Sequence, residues 1–95
     1  MKFTPHELAE RRLELSAEYA QASDQLADIL TSRPTVWMKL REGVESDKAA
    51  DRQYEATAAG IEEMKLRMKM KAIEKKLSAA KTMLDVLMGE ARNQV

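Results

Sequence analysis

Cysteine is absent from this 95-residue chain, and glycine, proline and aromatic residues are scarce. Without cysteine there can be no disulfide, thiolate zinc site or thiol catalysis. Only 3 glycines, 2 prolines and 4% aromatic residues occur, so turn signals are few and helix is favoured. No apolar run approaches the roughly 20 residues that cross a bilayer, and the N-terminus lacks the apolar core of a signal peptide. We therefore expect a cytoplasmic protein without membrane contact.

The sequence also lacks the residue patterns of catalysis and metal binding. Its single histidine, His6, lies at a predicted helix start without a second ligand or base at suitable spacing. The adjacent acids Glu62 and Glu63 face different directions on a helix. Neither a glycine-rich phosphate loop nor a serine nucleophile elbow is present. We expect no enzyme activity, no catalytic or metal-binding residue, no cofactor and no small-molecule substrate.

What the sequence does contain is a strong helical signal, interrupted at its prolines. Thr4, Pro5 and Glu7 have the order of a capping box with proline in the first helical turn. Pro34 removes a backbone donor and disfavours helix at the preceding residue. The chain is thus predicted to form one helical domain over 1–95, with a first helix at about 5–31, a turn at about 32–35 and a long helix at about 36–91.

Two glycines lie inside the predicted long helix. Gly43 and Gly60 each cost about 1 kcal/mol relative to alanine in a helix interior. Their neighbours are strong helix formers, including Ala49, Ala50 and Ala56. The long helix is therefore expected to continue through both glycines, or to bend at one of them.

Apolar residues recur at alternating intervals of three and four, which is the spacing of a heptad seam. The seam of the first helix comprises Leu8, Arg12, Leu15, Tyr19, Ala22, Leu26 and Ile29. A second seam, which weakens at Asp47 and Asp51, comprises Trp37, Leu40, Val44, Tyr54, Ala58 and Ile61. The third comprises Leu66, Met70, Ile73, Leu77, Ala80, Leu84, Leu87 and Ala91. The phase is expected to change between Ile61 and Leu66.

A second apolar face accompanies this phase change, since Ile61, Met64 and Met68 project opposite the third seam. A helix that is apolar on two sides contacts two neighbours, and a short hairpin buries little surface alone. We expect an all-α, coiled-coil-like helical hairpin with one short and one long helix, assembled as a homo-oligomer, with a dimer favoured over a higher bundle. The predicted partner or oligomer interface comprises Trp37, Leu40, Ile61, Met64, Leu66, Met68, Met70, Ile73, Leu77, Leu84 and Leu87.

Trp37 has two interpretations. It can close the end of the hairpin against residues such as Leu26, Ile29 or Leu30. It can also anchor an interface, because tryptophan and arginine dominate binding hot spots. The sequence places two cations, Lys39 and Arg41, beside this large aromatic residue.

The net charge of zero conceals an uneven distribution. Residues 1–32 carry three basic and six acidic side chains, whereas residues 64–81 carry seven basic and one acidic. The basic side chains of the second segment, on both flanks of the third seam, are Lys65, Arg67, Lys69, Lys71, Lys75, Lys76 and Lys81. They can pair with the acidic first helix of the same or a partner chain. They can also contact the phosphates of DNA or an acidic protein, although the segment has no aromatic residue to stack on bases.

Several stretches between Trp37 and Asn93 resemble small helical proteins of bacteriophages and prophages. They are Trp37-x-x-Leu40-Arg41, residues 46–52, residues 54–57, Gly60, Lys75-Lys76-x-Ser78-Ala79-x-Lys81 and residues 90–93. Genes for such proteins often lie near single-strand-annealing and single-strand-binding genes. The resemblance implies a non-enzymatic accessory factor in phage DNA recombination or replication, or an inhibitor of a host DNA-processing or defence complex, acting in the host cytoplasm. The alternative is a structural or adaptor coiled coil without nucleic-acid contact.

Overall fold

A computed structural model describes the backbone over residues 4–93 and side-chain exposure over residues 4–89. Three helices occupy this part of the chain: α1 Pro5–Glu42, α2 Asp47–Ala56 and α3 Ala58–Asn93. Residues 4–93 contain no strand, so the predicted all-α helical hairpin is confirmed. None of the described helices combines the length and the apolar character needed to cross a membrane.

The predicted capping box starts α1. The Glu7 backbone N–H donates to Thr4 Oγ1, and the Thr4 N–H donates to Glu7 Oε2, both at 3.2 Å. These reciprocal bonds satisfy two backbone donors that a helix N-terminus otherwise leaves unpaired.

The predicted turn at 32–35 is wrong, because α1 runs through Pro34 and ends only at Glu42. Pro34 costs one hydrogen bond, to the carbonyl of Leu30, but both residues are exposed. The inward face of the helix is half-buried on both sides of Pro34, at Ile29, Arg33 and Trp37. Packing of that continuous face maintains the helix, so the predicted short first helix is instead a long one.

The chain reverses direction at residues 43–46, between α1 and α2. The N–H groups of Gly43 and Val44 bond back to the carbonyls of Leu40 and Arg41, at 3.1 and 3.4 Å. The Arg41 side chain then donates to the Val44 carbonyl at 2.9 Å. Ser46 caps α2 by accepting the N–H of Ala49, which fixes where the next helix starts.

The predicted unbroken helix over 36–91 is also wrong, because a second break occurs at Thr57. This residue is extended, with φ −73° and ψ 160°, and joins α2 to α3. Its hydroxyl donates to the Tyr54 carbonyl at 2.6 Å and accepts the Gly60 N–H at 3.1 Å. One side chain thus closes the first helix and caps the next.

The break at Thr57 also moves the phase change away from its predicted place between Ile61 and Leu66. Tyr54 is buried, but the next two residues of the predicted second seam, Ala58 and Ile61, are exposed. The reason is that Thr57 interrupts the helical repeat, so α3 starts with a new phase.

The residues group into two compact units. Unit 1 comprises Met1–Gln21 and Met70–Val95, and unit 2 comprises Ala22–Lys69. Two units form because each turn of a helix contacts only the turns that face it. The buried apolar residues of unit 1 are Leu8, Leu15, Ile73 and Ala80, and those of unit 2 are Ala22, Leu26, Ala50, Tyr54 and Leu66. The first seam and the described part of the third, up to Leu87, therefore form core.

Candidate functional site

The predicted basic segment lies on α3, and all seven of its cationic side chains belong to exposed residues. Unit 2 carries Lys65, Arg67 and Lys69, and unit 1 carries Lys71, Lys75, Lys76 and Lys81. Within residues 4–89, the six lysines have no carboxylate oxygen within 4.0 Å. Arg67 differs, since it pairs with Glu63 at 3.4 Å. The lysine surface of α3, meaning these six lysines, is thus without a counter-charge in this part of the chain.

Two acidic side chains of α1 lie within 4.0 Å of basic side chains of the same helix. Glu10 lies 3.1 Å from His6, and Glu14 lies 3.5 Å from Arg11. In unit 1, α1 contacts the only acid of the basic segment, because the Tyr19 hydroxyl donates to Glu74 Oε1 at 3.0 Å. Pairing between the acidic first helix and the lysines of the same chain therefore has no support here, whereas pairing with a second chain stays a prediction.

Unit 2 contains a polar cluster centred on Glu63, which is 9% exposed. Arg33, from α1, donates Nη1 to both carboxylate oxygens of Glu63, at 3.2 and 3.1 Å. Arg67, one turn along α3, donates Nε to Oε2 at 3.4 Å. The Tyr54 hydroxyl, from α2, donates to Oε1 at 3.2 Å. All three helices thus meet at one carboxylate.

The Tyr54 hydroxyl and the Arg33 guanidinium both make favourable contacts in this cluster. Burial raises the pKa of Tyr54 above its usual value of 10.0, and the hydrogen bond to Glu63 raises it further. Tyr54 therefore stays neutral, and its hydroxyl donates a hydrogen bond to the carboxylate. The guanidinium carbon of Arg33 lies 4.8 Å from the centre of the Tyr54 ring, a favourable cation–π distance. Within the described residues no buried side-chain nitrogen or oxygen lacks a partner.

Trp37 and Leu40 lie on α1 in unit 2, and both are half-buried. The indole Nε1 of Trp37 donates to Asp51 Oδ1 at 2.7 Å, which fixes the ring against α2. Shallow grooves open on both sides of Trp37 and the exposed Met38. Trp37 lies on the same helix as Leu26, Ile29 and Leu30, six residues before the reversal, so it does not close the hairpin against them, and part of its surface is open to solvent.

The residues of the predicted partner interface that lie on α3 separate into two groups. Leu66 and Ile73 are buried, and Met70, Leu77, Leu84 and Leu87 are half-buried, all in the core of their own units. By contrast, Ile61, Met64 and Met68 are 41%, 57% and 64% exposed. Only this second group, which we call the outer apolar face, is available to another molecule as a large apolar surface on α3 in unit 2.

Sequence reasoning missed the Glu63 cluster, although a signal for it exists. Glu63 continues the third seam backwards, three residues before Leu66, and Arg33 continues the first seam, four residues after Ile29. Charged residues of opposite sign at core positions of two helices indicate a buried pair, because an isolated buried charge is costly. A turn at Pro34 hides this signal, because it removes Arg33 from the paired helices.

Exposed lysines and an exposed apolar face characterise the described part of α3. Within residues 4–89 no three His, Asp or Glu side chains are arranged to hold a metal ion. Cations without counter-charges and an exposed apolar face are both typical of surfaces that bind macromolecules. Comparisons with known protein families, with curated proteins and with solved structures give no match to this chain.

Proposed function

We propose that this chain is a non-enzymatic binding protein whose α3 lysine surface contacts the phosphate backbone of DNA. The observation that carries the proposal is that all six lysines are exposed and have no carboxylate oxygen of residues 4–89 within 4.0 Å. Cations without counter-charges bind phosphates with a gain of entropy from released counterions. Such contacts position a protein on DNA without reading its sequence.

The resemblance to small phage proteins supplies the proposed setting. A protein of this kind would act as an accessory factor in phage DNA recombination or replication. In the alternative role, the same surface binds an acidic patch on a host DNA-processing or defence complex and contacts no nucleic acid. Binding of purified protein to DNA separates direct DNA contact from binding to a host complex, because only direct DNA contact needs no further protein.

The test measures binding of a fluorescent oligonucleotide by anisotropy over a range of salt concentrations. The Lys65→Glu, Lys69→Glu, Lys76→Glu variant is expected to lose at least about tenfold in affinity and to flatten the salt dependence. Its control, Lys39→Glu, Lys48→Glu, Arg52→Glu, changes the charge equally at exposed residues of α1 and α2. Absence of binding by the unmodified protein at low salt refutes direct DNA contact, and an equal loss in the control refutes the lysine surface.

A second candidate function is self-assembly as a structural or adaptor protein, and the outer apolar face favours it. Lys65 and Lys69, exposed beside Met64 and Met68, would repel the same face of a second copy. The complementary surface in unit 2 is the α1 segment that exposes Asp24 and Asp28. We therefore propose that α3 of one copy packs on α1 of another, so that Lys65 and Lys69 face Asp24 and Asp28.

Sedimentation equilibrium tests this assembly. Met64→Gln with Met68→Gln is expected to shift the mass towards that of one 10.8 kDa chain. Met83→Gln with Met88→Gln is the matched control, because these two methionines are also exposed on α3 but lie in unit 1, outside the outer apolar face. A concentration-independent 10.8 kDa species for the unmodified protein refutes self-assembly.

A further inference from the structure

We infer that Arg33 and Arg67, held by Glu63, form a site for a single phosphate group of a nucleic-acid backbone. The inference rests on the proposed DNA contact and adds to it a position where a phosphate is oriented, not merely attracted. Arg33 lies outside the lysine surface, on α1, so the site joins two helices of unit 2.

The geometry brings two like charges together around one oxygen. Arg33 Nη1 and Arg67 Nε both donate to Oε2 of Glu63, at 3.1 and 3.4 Å. Among the described contacts, Arg33 uses only Nη1 and Arg67 uses only Nε. Each guanidinium therefore has further N–H groups to donate, and a guanidinium can bind phosphate through two parallel bonds.

The charges and the exposure fit an anion. One carboxylate offsets one of the two guanidinium groups, and Tyr54 is neutral, so the cluster retains one positive charge. The side chains of Arg33 and Arg67 are 38% and 50% exposed, whereas that of Glu63 is 12% exposed. Solvent thus reaches the arginines much more than the acid. Because Glu63 and the Tyr54 ring already hold Arg33, less side-chain entropy is lost when a phosphate binds.

Glu63→Gln separates an oriented site from general electrostatic attraction. Removal of a negative charge should strengthen DNA binding if only net charge matters. If Glu63 orients the arginines, the variant should instead bind the oligonucleotide about tenfold more weakly, the value of roughly one charge-assisted hydrogen bond. Glu62→Gln is the matched control, since Glu62 is exposed and makes no described ion pair, and it should bind equally or more tightly. Equal strengthening in both variants overturns the inference.

Two further measurements test the phosphate site, one for the case that Glu63→Gln does not fold and one that does not depend on DNA binding. If circular dichroism shows that Glu63→Gln does not fold, Arg67→Lys decides. This variant keeps the charge of a half-exposed residue but not its paired N–H donors, so affinity should fall about tenfold, and unchanged affinity overturns the inference. Independently of DNA, titration with inorganic phosphate should shift the Nε resonances of Arg33 and Arg67 in a saturable way and leave that of Arg52 unchanged. No saturable shift refutes the phosphate site, whereas a shift without oligonucleotide binding refutes only the proposed DNA contact.

Discussion

Gly60 is the position where the smallest chemical change should have the largest structural effect. It lies in the first turn of α3, directly after the break at Thr57. A Cβ built there would collide with the backbone carbonyl oxygen of Tyr54 and lie 2.9 Å from the Glu55 Cα. The φ angle of Gly60 is not positive. Glycine is therefore required here because two backbones approach closely, and not because of an unusual dihedral angle.

Two opposing contributions determine how much Gly60→Ala changes the free energy of unfolding. Alanine is favoured over glycine inside a helix by about 1 kcal/mol. The added methyl group meets backbone atoms that no rotamer change can move, so overpacking should cost about 3 kcal/mol. Gly60→Ala is therefore expected to lower the free energy of unfolding by about 2 kcal/mol, which corresponds to a fall in Tm of about 8–16 °C for a chain of this size.

Thermal and urea unfolding followed by circular dichroism, at one fixed protein concentration, provide the assay. Gly89→Ala is the matched control, because a Cβ at Gly89 meets nothing within 4 Å in the same helix. That variant should be unchanged or stabilised by up to about 1 kcal/mol. If Gly60→Ala is as stable as Gly89→Ala, the close approach of α2 and α3 at this point does not exist, and the reasoning fails.

Three further predictions concern single contacts. Pro34→Ala should stabilise the protein by about 1–3 kcal/mol in urea unfolding, because it restores a donor to the Leu30 carbonyl; destabilisation would mean that the helix does not pass through this residue. Ser46→Ala should lose about 1 kcal/mol with the cap of α2, whereas Ser46→Asp should retain most of the stability; equal losses would contradict capping. Tyr54→Phe should lose about 1 kcal/mol near neutral pH with the hydrogen bond to Glu63. The pKa of Tyr54 in the folded protein lies above the unfolded value of 10.0, so the contribution of its hydroxyl to stability is complete below pH 10 and is lost above it. The two proteins should therefore converge in stability in urea unfolding at alkaline pH. A constant difference would contradict the raised pKa.

Which residues of the two long helices are buried could be predicted from spacing alone. Leu8, Leu15 and Ile73 are buried as their seams required, because a helical repeat brings every third or fourth residue to one face. The outer position of Met64 and Met68 followed from the same repeat. The exposure of the basic segment was also implicit in the sequence, since lysine is rarely buried.

The helix boundaries could not be predicted in this way, because they depend on contacts between residues distant in sequence. Pro34 is a strong local stop signal, but the contacts of Arg33 with Glu63 and of Trp37 with Asp51 keep α1 helical around it. Conversely, Thr57 is a weak local signal. It becomes a break because its hydroxyl can bond both the end of α2 and the start of α3.

The scarcity of glycine, proline and aromatic residues thus favoured an all-α chain, and the absence of cysteine left it without disulfides. Spacing then determined which faces turn inward, since that needs only the helical repeat. Tertiary structure decided where the helices end, because a proline or a threonine acts through the partners that surround it. It also decided that Glu63 gathers two arginines and a tyrosine from three helices, since such a cluster exists only once those helices pack together.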